Sequence, residues 1–268
     1  MKILNDKFHN LNLVLTNKYY REFLRLLFIY GKVKRNEERT INYLNHKIIV
    51  ADCLSFIFQF KEMYVKGYYE FNNESEIPVI FDCGSNIGVS ILFFKDKYHN
   101  AIIKAFEADP NISELLNKNL VTNSVKNVEV IAKAVWVNND GIKLGLEGAD
   151  ASSIFSNNKK IHVPSVRLKD LIEKEDKIDL LKLDIEGAET EVIEDCKDSL
   201  GRVKNIFIEY HSFIGKEQNL DRILTILKSN NFRYFIKTDE PRERPLINHK
   251  SKISPDMDLQ LNIFAYRL

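Results

Sequence analysis

Two segments of this chain carry side chains whose types and spacing can do chemistry. The first is Val79-Ile80-Phe81-Asp82-Cys83-Gly84-Ser85-Asn86-Ile87-Gly88, an apolar run ending in an acid and opening through two glycines into a helical pattern. Glycine at 84 and 88 lets the backbone turn sharply and approach a ligand with no Cβ in the way. Free N–H groups and the dipole at the helix start favour a negative ligand group. Asp82 places the opposite charge at the same strand tip. A ligand with both a carboxylate and an ammonium or sulfonium suits that pair. Phosphate suits it less, because the dinucleotide pattern G-x-G-x-x-G and the P-loop lysine are both missing. Alone, the loop reads equally well as a plain tight turn. The next apolar run shifts that balance, ending in Ala105-Phe106-Glu107-Ala108-Asp109-Pro110, with Glu107 23 positions after Gly84. An acid about 20 positions after such a loop commonly accepts both ribose hydroxyls. Asp109, before Pro110, reads as the N-cap of a helix.

The second segment is Asp179-Leu180-Leu181-Lys182-Leu183-Asp184-Ile185-Glu186-Gly187-Ala188-Glu189. A buried strand delivers three carboxylates onto a turn and a first helical turn. Acids there complement the helix dipole, and that reading suits Glu189, which also serves as an inward-facing orienting group. Ligands of doubly wound sheets bind at the carboxyl ends of strands, where strand order reverses. If the strand ending at Leu183 is the fourth, Asp184 faces the same crevice as Asp82 and Gly84. The following strand ends in Ile208-Glu209-Tyr210-His211-Ser212, which brings His211 to the acid cluster. A carboxylate and a histidine near a transferable group can deprotonate a hydroxyl. They can equally ligate a divalent ion, but the spacing matches no dedicated metal motif and no metal site is predicted.

The elements that position these residues are legible from periodicity. Tyr19, Tyr20, Phe23, Leu24, Leu27, Phe28 and Tyr30 recur at helical spacing, and Thr40–Leu44 and Lys47–Val50 flank Asn45-His46 as a small hairpin. A second helix runs from Cys53 towards Lys66. Polar residues 72–76 and Pro78 mark a boundary between a helical and hairpin cover region, 1–75, and a domain over 76–268. Beyond it, strands at 79–82, 102–107, 128–131, 179–183, 205–209, 232–237 and 259–266 alternate with helices at 88–98, 112–122, 188–196 and 220–229. Asn138-Asn139-Asp140-Gly141 carries hairpin turn chemistry. The alternation predicts an α/β fold with a mostly parallel, doubly wound sheet.

Composition bounds the function. With 39 Lys+Arg against 38 Asp+Glu in 268 residues, the net charge is +1, which disfavours a partner such as nucleic acid that needs a basic excess. Three widely spaced cysteines, Cys53, Cys83 and Cys196, without a C-x-x-C pair, point to buried thiols in a reducing, cytoplasmic setting. The most apolar stretch, 48–60, is too short for a transmembrane segment and no secretory signal is visible.

Taken together, "VIFDCGSNIG", "AFEADP", "VRLKDLIEKEDKIDLLKLDIEGAE" and "IFIEYH" resemble the FkbM family of S-adenosylmethionine-dependent methyltransferases, over Tyr68 to His211. The resemblance implies a class I methyltransferase, Rossmann-like fold with a seven-stranded sheet whose last strand is antiparallel, preceded by a small N-terminal helical extension. It implies that Asp82, Cys83, Gly84, Ser85, Asn86 and Gly88 meet the methionine part of the cofactor, with Asp184 beside them. Glu107 would hold the ribose, and Ala108 with the backbone near Ala134 would flank the adenine. Cys83 and Ser85 stand where the family more often has Val and Ala, both small replacements. The implied reaction is in-line displacement at the methyl carbon by a hydroxyl of a sugar, glycan or small molecule, with Asp184, His211 and Glu186, in that order, as candidate bases. A nicotinamide-dependent oxidoreductase, a non-catalytic cofactor-binding partner and a metal-assisted methyltransferase stay open as alternatives. The N-terminal helix is readable as core packing, an acceptor lid, a homodimer contact or a membrane-surface helix, and Tyr68 and Tyr69 as closing over the cofactor.

Overall fold

The computed structural model describes residues 14–146, 152–153, 160–238, 240, 242–251 and 256–268. Seven strands form the central sheet: β3 (Val79–Cys83), β4 (Ile102–Phe106), β5 (Val128–Ile131), β11 (Ile178–Leu183), β12 (Val203–Phe213), β13 (Arg233–Lys237) and β14 (Met257–Tyr266). Their spatial order is β13-β14-β12-β11-β3-β4-β5, and only β14 runs against its neighbours. The order reverses between β3 and β11, so the two segments singled out above end side by side. β11 is buried at every position, as a central parallel strand must be.

The strand period of two splits the core between the two faces. Ile80, Ile103, Leu180 and Phe207 point to one face, and Phe81, Cys83, Phe106, Leu181 and Ile206 to the other. Helices α3 (Val89–Lys97), α4 (Pro110–Thr122), α6 (Glu189–Cys196) and α7 (Leu220–Ser229) cover them, with a short α5 (Leu168–Ile172) between β10 (Ser165–Arg167) and β11. Asp109 caps α4, accepting from the Asn111 and Ile112 N–H groups, with Pro110 at the first helical position.

The N-terminal part packs into the first of these core faces. Helix α1 (Lys18–Tyr30) starts at Asn17, whose side chain accepts from Tyr19 N and Tyr20 N, and buries Phe23 and Leu26. The hairpin β1 (Arg39–Tyr43) and β2 (His46–Val50) turns at Leu44-Asn45, one residue earlier than the sequence suggests. Helix α2 (Cys53–Phe60) continues into a π-helical turn at Lys61–Val65, an irregularity that recurs at functional sites. Tyr64 meets Phe93 edge-on at 5.1 Å and Tyr69 meets Phe207 at 4.7 Å. Asn119, fully buried on α4, ties β2 to the glycine turn: it accepts from Ile49 N at 2.8 Å and donates to Ile49 O and Ile87 O at 2.9 Å.

One expectation changes. The turn at 138–141 closes no hairpin: β6 (Ala134–Trp136) pairs in parallel with β10, whereas β7 (Ile142–Leu146) pairs with β8 (Ser152–Ser153) and β9 (Lys160–Val163). Ser165 Oγ donates to Asn138 O at 2.7 Å and accepts from Gly141 N at 2.9 Å. A side chain 24 residues from Gly141 thus sets that turn.

Candidate active site

A cavity of about 240 Å³ opens at the carboxyl ends of β3, β4, β11 and β12. Gly84, Ser85, Asn86, Glu107, Ala108, Ala134, Asp184, Glu186 and His211 all line it. Asp82, Cys83 and Gly88 do not.

The reason for each exclusion is local. Asp82 is fully buried, with Ser90 Oγ donating to its Oδ2 at 2.5 Å and Lys182 Nζ 3.2 Å from its Oδ1. Its charge is therefore answered inside the protein, and it does not offer itself to a ligand's cationic group. The Lys182 contact is a charge contact outside good hydrogen-bond geometry, since Oδ1 otherwise finds no donor. Cys83 points into the core beside Phe81 and Leu181, where burial pushes its thiol well up. Gly84 and Gly88 hold φ of +85° and +91°, but a Cβ would meet Asp184 O at 1.8 Å and Leu116 Cδ1 at 2.6 Å. Their missing side chains serve the approach of β11 and α4 to the turn, not that of a ligand. The N–H groups of the turn itself are spent within the protein: Gly84 N and Ser85 N donate to Phe106 O, Gly88 N to Ser85 O and Ile87 N to Asn86 Oδ1, which leaves the helix start at Val89 and Ser90 to face the cavity.

Lys182, which the sequence reading passed over, is the hub beneath the turn. It is 1% exposed, donates to Gly84 O at 2.8 Å, and lies 3.4 Å from Asp184 Oδ2 as well as beside Asp82. Burial alone pushes an ammonium's pKa down; Asp82 and Asp184 outweigh it and hold Lys182 above its ordinary value, hence charged. The available signal was a single lysine inside the apolar run Leu180–Leu183.

At the other end of the cavity, Glu107 accepts from Asn86 N through Oε2 and from Asp109 N through Oε1, both at 2.9 Å. Burial pushes its carboxyl up to about 7 against these two hydrogen bonds. Each oxygen keeps a lone pair for a ribose hydroxyl. Ala108, Ile112, Ala134, Val135, Ile142 and Leu144 line the same cavity, an apolar slot whose side chains suit a base. The slot draws on four segments of the chain, so its full membership was invisible to short motifs.

The chamber beyond Asp184 is carboxylate-rich. Glu186 sits in the left-handed region at φ +55°, a strained conformation for a residue with a side chain. Glu189, 1% exposed, accepts from Ile185 N and Gly187 N at 3.1 Å, and its Oε1 lies 3.1 Å from His211 Nδ1. His211 Nε2 lies 3.6 Å from Glu186 Oε2. Burial lowers the proton affinity of His211, but Glu186 and Glu189 outweigh it and hold the imidazole well above its ordinary pKa. With both ring nitrogens of His211 facing carboxylates, the geometry favours Asp184 and Glu186 over it as the proton acceptor. Burial, reinforced by Asp184, pushes the Glu209 carboxyl far up, and Gln260 Nε2 donates to Glu209 Oε1. Gln59, Glu62, Met63 and Tyr69 complete the wall from the N-terminal part. Tyr68 instead packs on Phe264 at 5.2 Å, outside the cavity.

The residues fit the cofactor that the sequence suggested. An apolar slot beside a carboxylate suits adenosine, and an acidic far end suits a sulfonium. A doubly wound sheet of this order, opened at its switch point onto such a cavity, defines the class I S-adenosylmethionine-dependent methyltransferases. The methyltransferase FkbM domain matches residues 82–234, more than half of the chain, and the chain belongs to that family. Methyltransferase sdnD of Sordaria araneosa is 27% identical over 226 residues, covering 66% of this chain and 86% of its own. Among solved structures, M. jannaschii TYW2 in complex with AdoMet aligns over 88% of each chain at 12% identity, with a TM-score of 0.48. Methyltransferase FkbM from Methylobacillus flagellatus KT aligns over 79% of this chain and 53% of its own at 14% identity, with a TM-score of 0.46. The chain is a methyltransferase that uses S-adenosylmethionine. Among the described residues no helix is long and apolar enough to cross a membrane.

Proposed function

We propose that this enzyme methylates a hydroxyl of a sugar-like acceptor, free or carried on a nucleotide, lipid or glycan, in the cytoplasm. The observation that carries this reading is the polar wall of the acceptor chamber: Gln59, Glu62, Asp184, Glu186, Glu209 and Gln260 line it. Carboxylates and amides accept hydrogen bonds from hydroxyls, and the carboxylates repel phosphodiesters, so the wall favours a polyol over RNA. When bound, S-adenosylmethionine supplies a methyl carbon made electrophilic by its sulfonium. Glu107 accepts the ribose hydroxyls and the apolar slot holds the adenine. Asp184, on the cavity side of Lys182 and 3.4 Å from its Nζ, takes the proton of the acceptor hydroxyl. Positioning of the two reactants supplies most of the acceleration. The segment up to about residue 75 acts as cover over the acceptor, since Gln59, Glu62 and Met63 reach the chamber from it.

The test is incubation with S-adenosylmethionine labelled in the methyl group and a panel of nucleotide sugars, glycans, lipid-linked saccharides and RNA. The expected result is label in a saccharide as a base-stable methyl ether. Label confined to RNA, or to a nitrogen or carbon atom, refutes the proposed acceptor.

A further inference from the structure

We propose that Asp184, Glu186 and His211 form a binding site for one divalent metal ion, of the Mn²⁺ or Mg²⁺ kind, at the acceptor end of the cavity. One ligand atom from each lies within 4.8 Å of the others. Donors on one octahedral ion at about 2.1 Å lie about 3.0 Å apart when adjacent and about 4.2 Å apart when opposite. Closing the widest separation therefore needs a contraction of about 0.6 Å for opposite donors and about 1.8 Å for adjacent ones, on Asp184 and Glu186 side chains that are 24% and 26% exposed.

Independent of the acids, His211 is built as a ligand. Its ring is 2% exposed, and among the described residues Nε2 has no hydrogen bond, its contact being the ion pair with Glu186 Oε2 at 3.6 Å. Nε2 is aimed at the acids while Nδ1 faces Glu189, and Glu189 is itself fixed by the Ile185 and Gly187 N–H groups. A carboxylate behind the far nitrogen of a histidine is the arrangement that orients metal-bound imidazoles and raises their basicity. The same Glu189 pins the turn that forces Glu186 into its left-handed conformation, so one buried side chain aims two of the three donors. Two carboxylates and one imidazole form a mixed oxygen and nitrogen set that suits an octahedral ion, with the remaining positions left to water or acceptor oxygens. An ion there displaces the Nε2 proton.

The inference rests on the acceptor reading for its purpose. An ion at this point binds the acceptor hydroxyl and makes it more acidic. The proton released from the hydroxyl would go to Asp184, the oxygen's electron pair would form the bond to the methyl carbon, and the methyl–sulfur bond would break with its pair left on sulfur.

The test uses the whole chain, stripped with chelator and dialysed, without methyl donor or acceptor. Mn²⁺ is titrated and the free ion is read by electron paramagnetic resonance. Uptake of one Mn²⁺ per chain is expected, displaced by excess Mg²⁺. Glu186→Gln and His211→Asn, shown folded by their melting curves, are expected to weaken it at least tenfold. A free-ion signal unchanged by wild-type protein overturns the proposal, and so does uptake that survives in both variants. Binding of S-adenosylmethionine is titrated separately in chelator, so failure of the ion site and failure of the methyl-transfer reading leave different records.

Discussion

Lys182 offers the sharpest test of the electrostatic account. Replacing it with methionine keeps much of the buried volume and removes the charge from a side chain that is 1% exposed. Nζ lies 3.2 Å from Asp82 and 3.4 Å from Asp184. At an effective dielectric of about 20, each contact is worth about 5 kcal/mol before desolvation is set against it. Removing one partner of a buried ion pair costs about 3–5 kcal/mol, because the remaining charge is left unanswered. Asp82, fully buried, is that charge. Asp184, a quarter exposed, recovers part of its loss from water. Lys182→Met is therefore expected to lower the unfolding free energy by about 3–5 kcal/mol, and Tm by on the order of 10 °C. Asp82→Asn in the same chain should restore a large share, since the neutral amide still accepts from Ser90. Urea unfolding of the wild type, both single variants and the double variant measures the coupling. A Lys182→Met cost under about 1 kcal/mol, or strictly additive costs, would refute the reasoning.

Three further outcomes follow from the same geometry. Glu107 must be ionised to accept both ribose hydroxyls; its carboxyl sits at about 7, above its ordinary value, so the binding-competent form is lost as pH falls through 7. S-adenosylmethionine should bind about tenfold more weakly at pH 6 than at pH 8, and calorimetry should find that slope flattened in Glu107→Gln. Asp184→Asn should leave cofactor affinity within a few-fold and lower turnover by about 10²–10⁴, since it removes the proton acceptor; full activity in a methyl-transfer assay would end its assigned part. Asn119→Ala strips partners from Ile49 N, Ile49 O and Ile87 O, and should cost about 2–4 kcal/mol in urea unfolding, an unchanged midpoint counting against the tie between hairpin and glycine turn.

What could be read beforehand depended on range. The sheet, its flanking helices and the tips that carry Glu107, Asp184 and His211 followed from patterns a few residues long. Glu189 as an orienting group followed from its place just after the turn. The errors share a different cause. Asp82 was expected to face the ligand, but β3 and β11 pair with Lys182 directly beside Asp82, and that register brings together residues 100 positions apart. Gly84 was expected to clear space for a ligand, but the space is taken by Asp184 O. His211 was expected among the bases, yet both its ring nitrogens face carboxylates of residues 186 and 189, which the pairing of β11 with β12 brings to it. Gln59 and Glu62 carried no motif at all and reach the cavity only because α2 packs on α3.

By itself, then, the sequence determined which strands of the central sheet exist and which residues stand at their carboxyl ends, because strand period, helix period and turn chemistry are local properties of the chain. It also determined the near balance of 39 basic and 38 acidic residues. The tertiary structure alone decided where those charges are answered. Asp82 is matched in the interior, while Glu186, Glu189 and Glu209 gather around one histidine. Coulomb energy and desolvation depend on distance and burial, and neither is set until distant strands have taken their register.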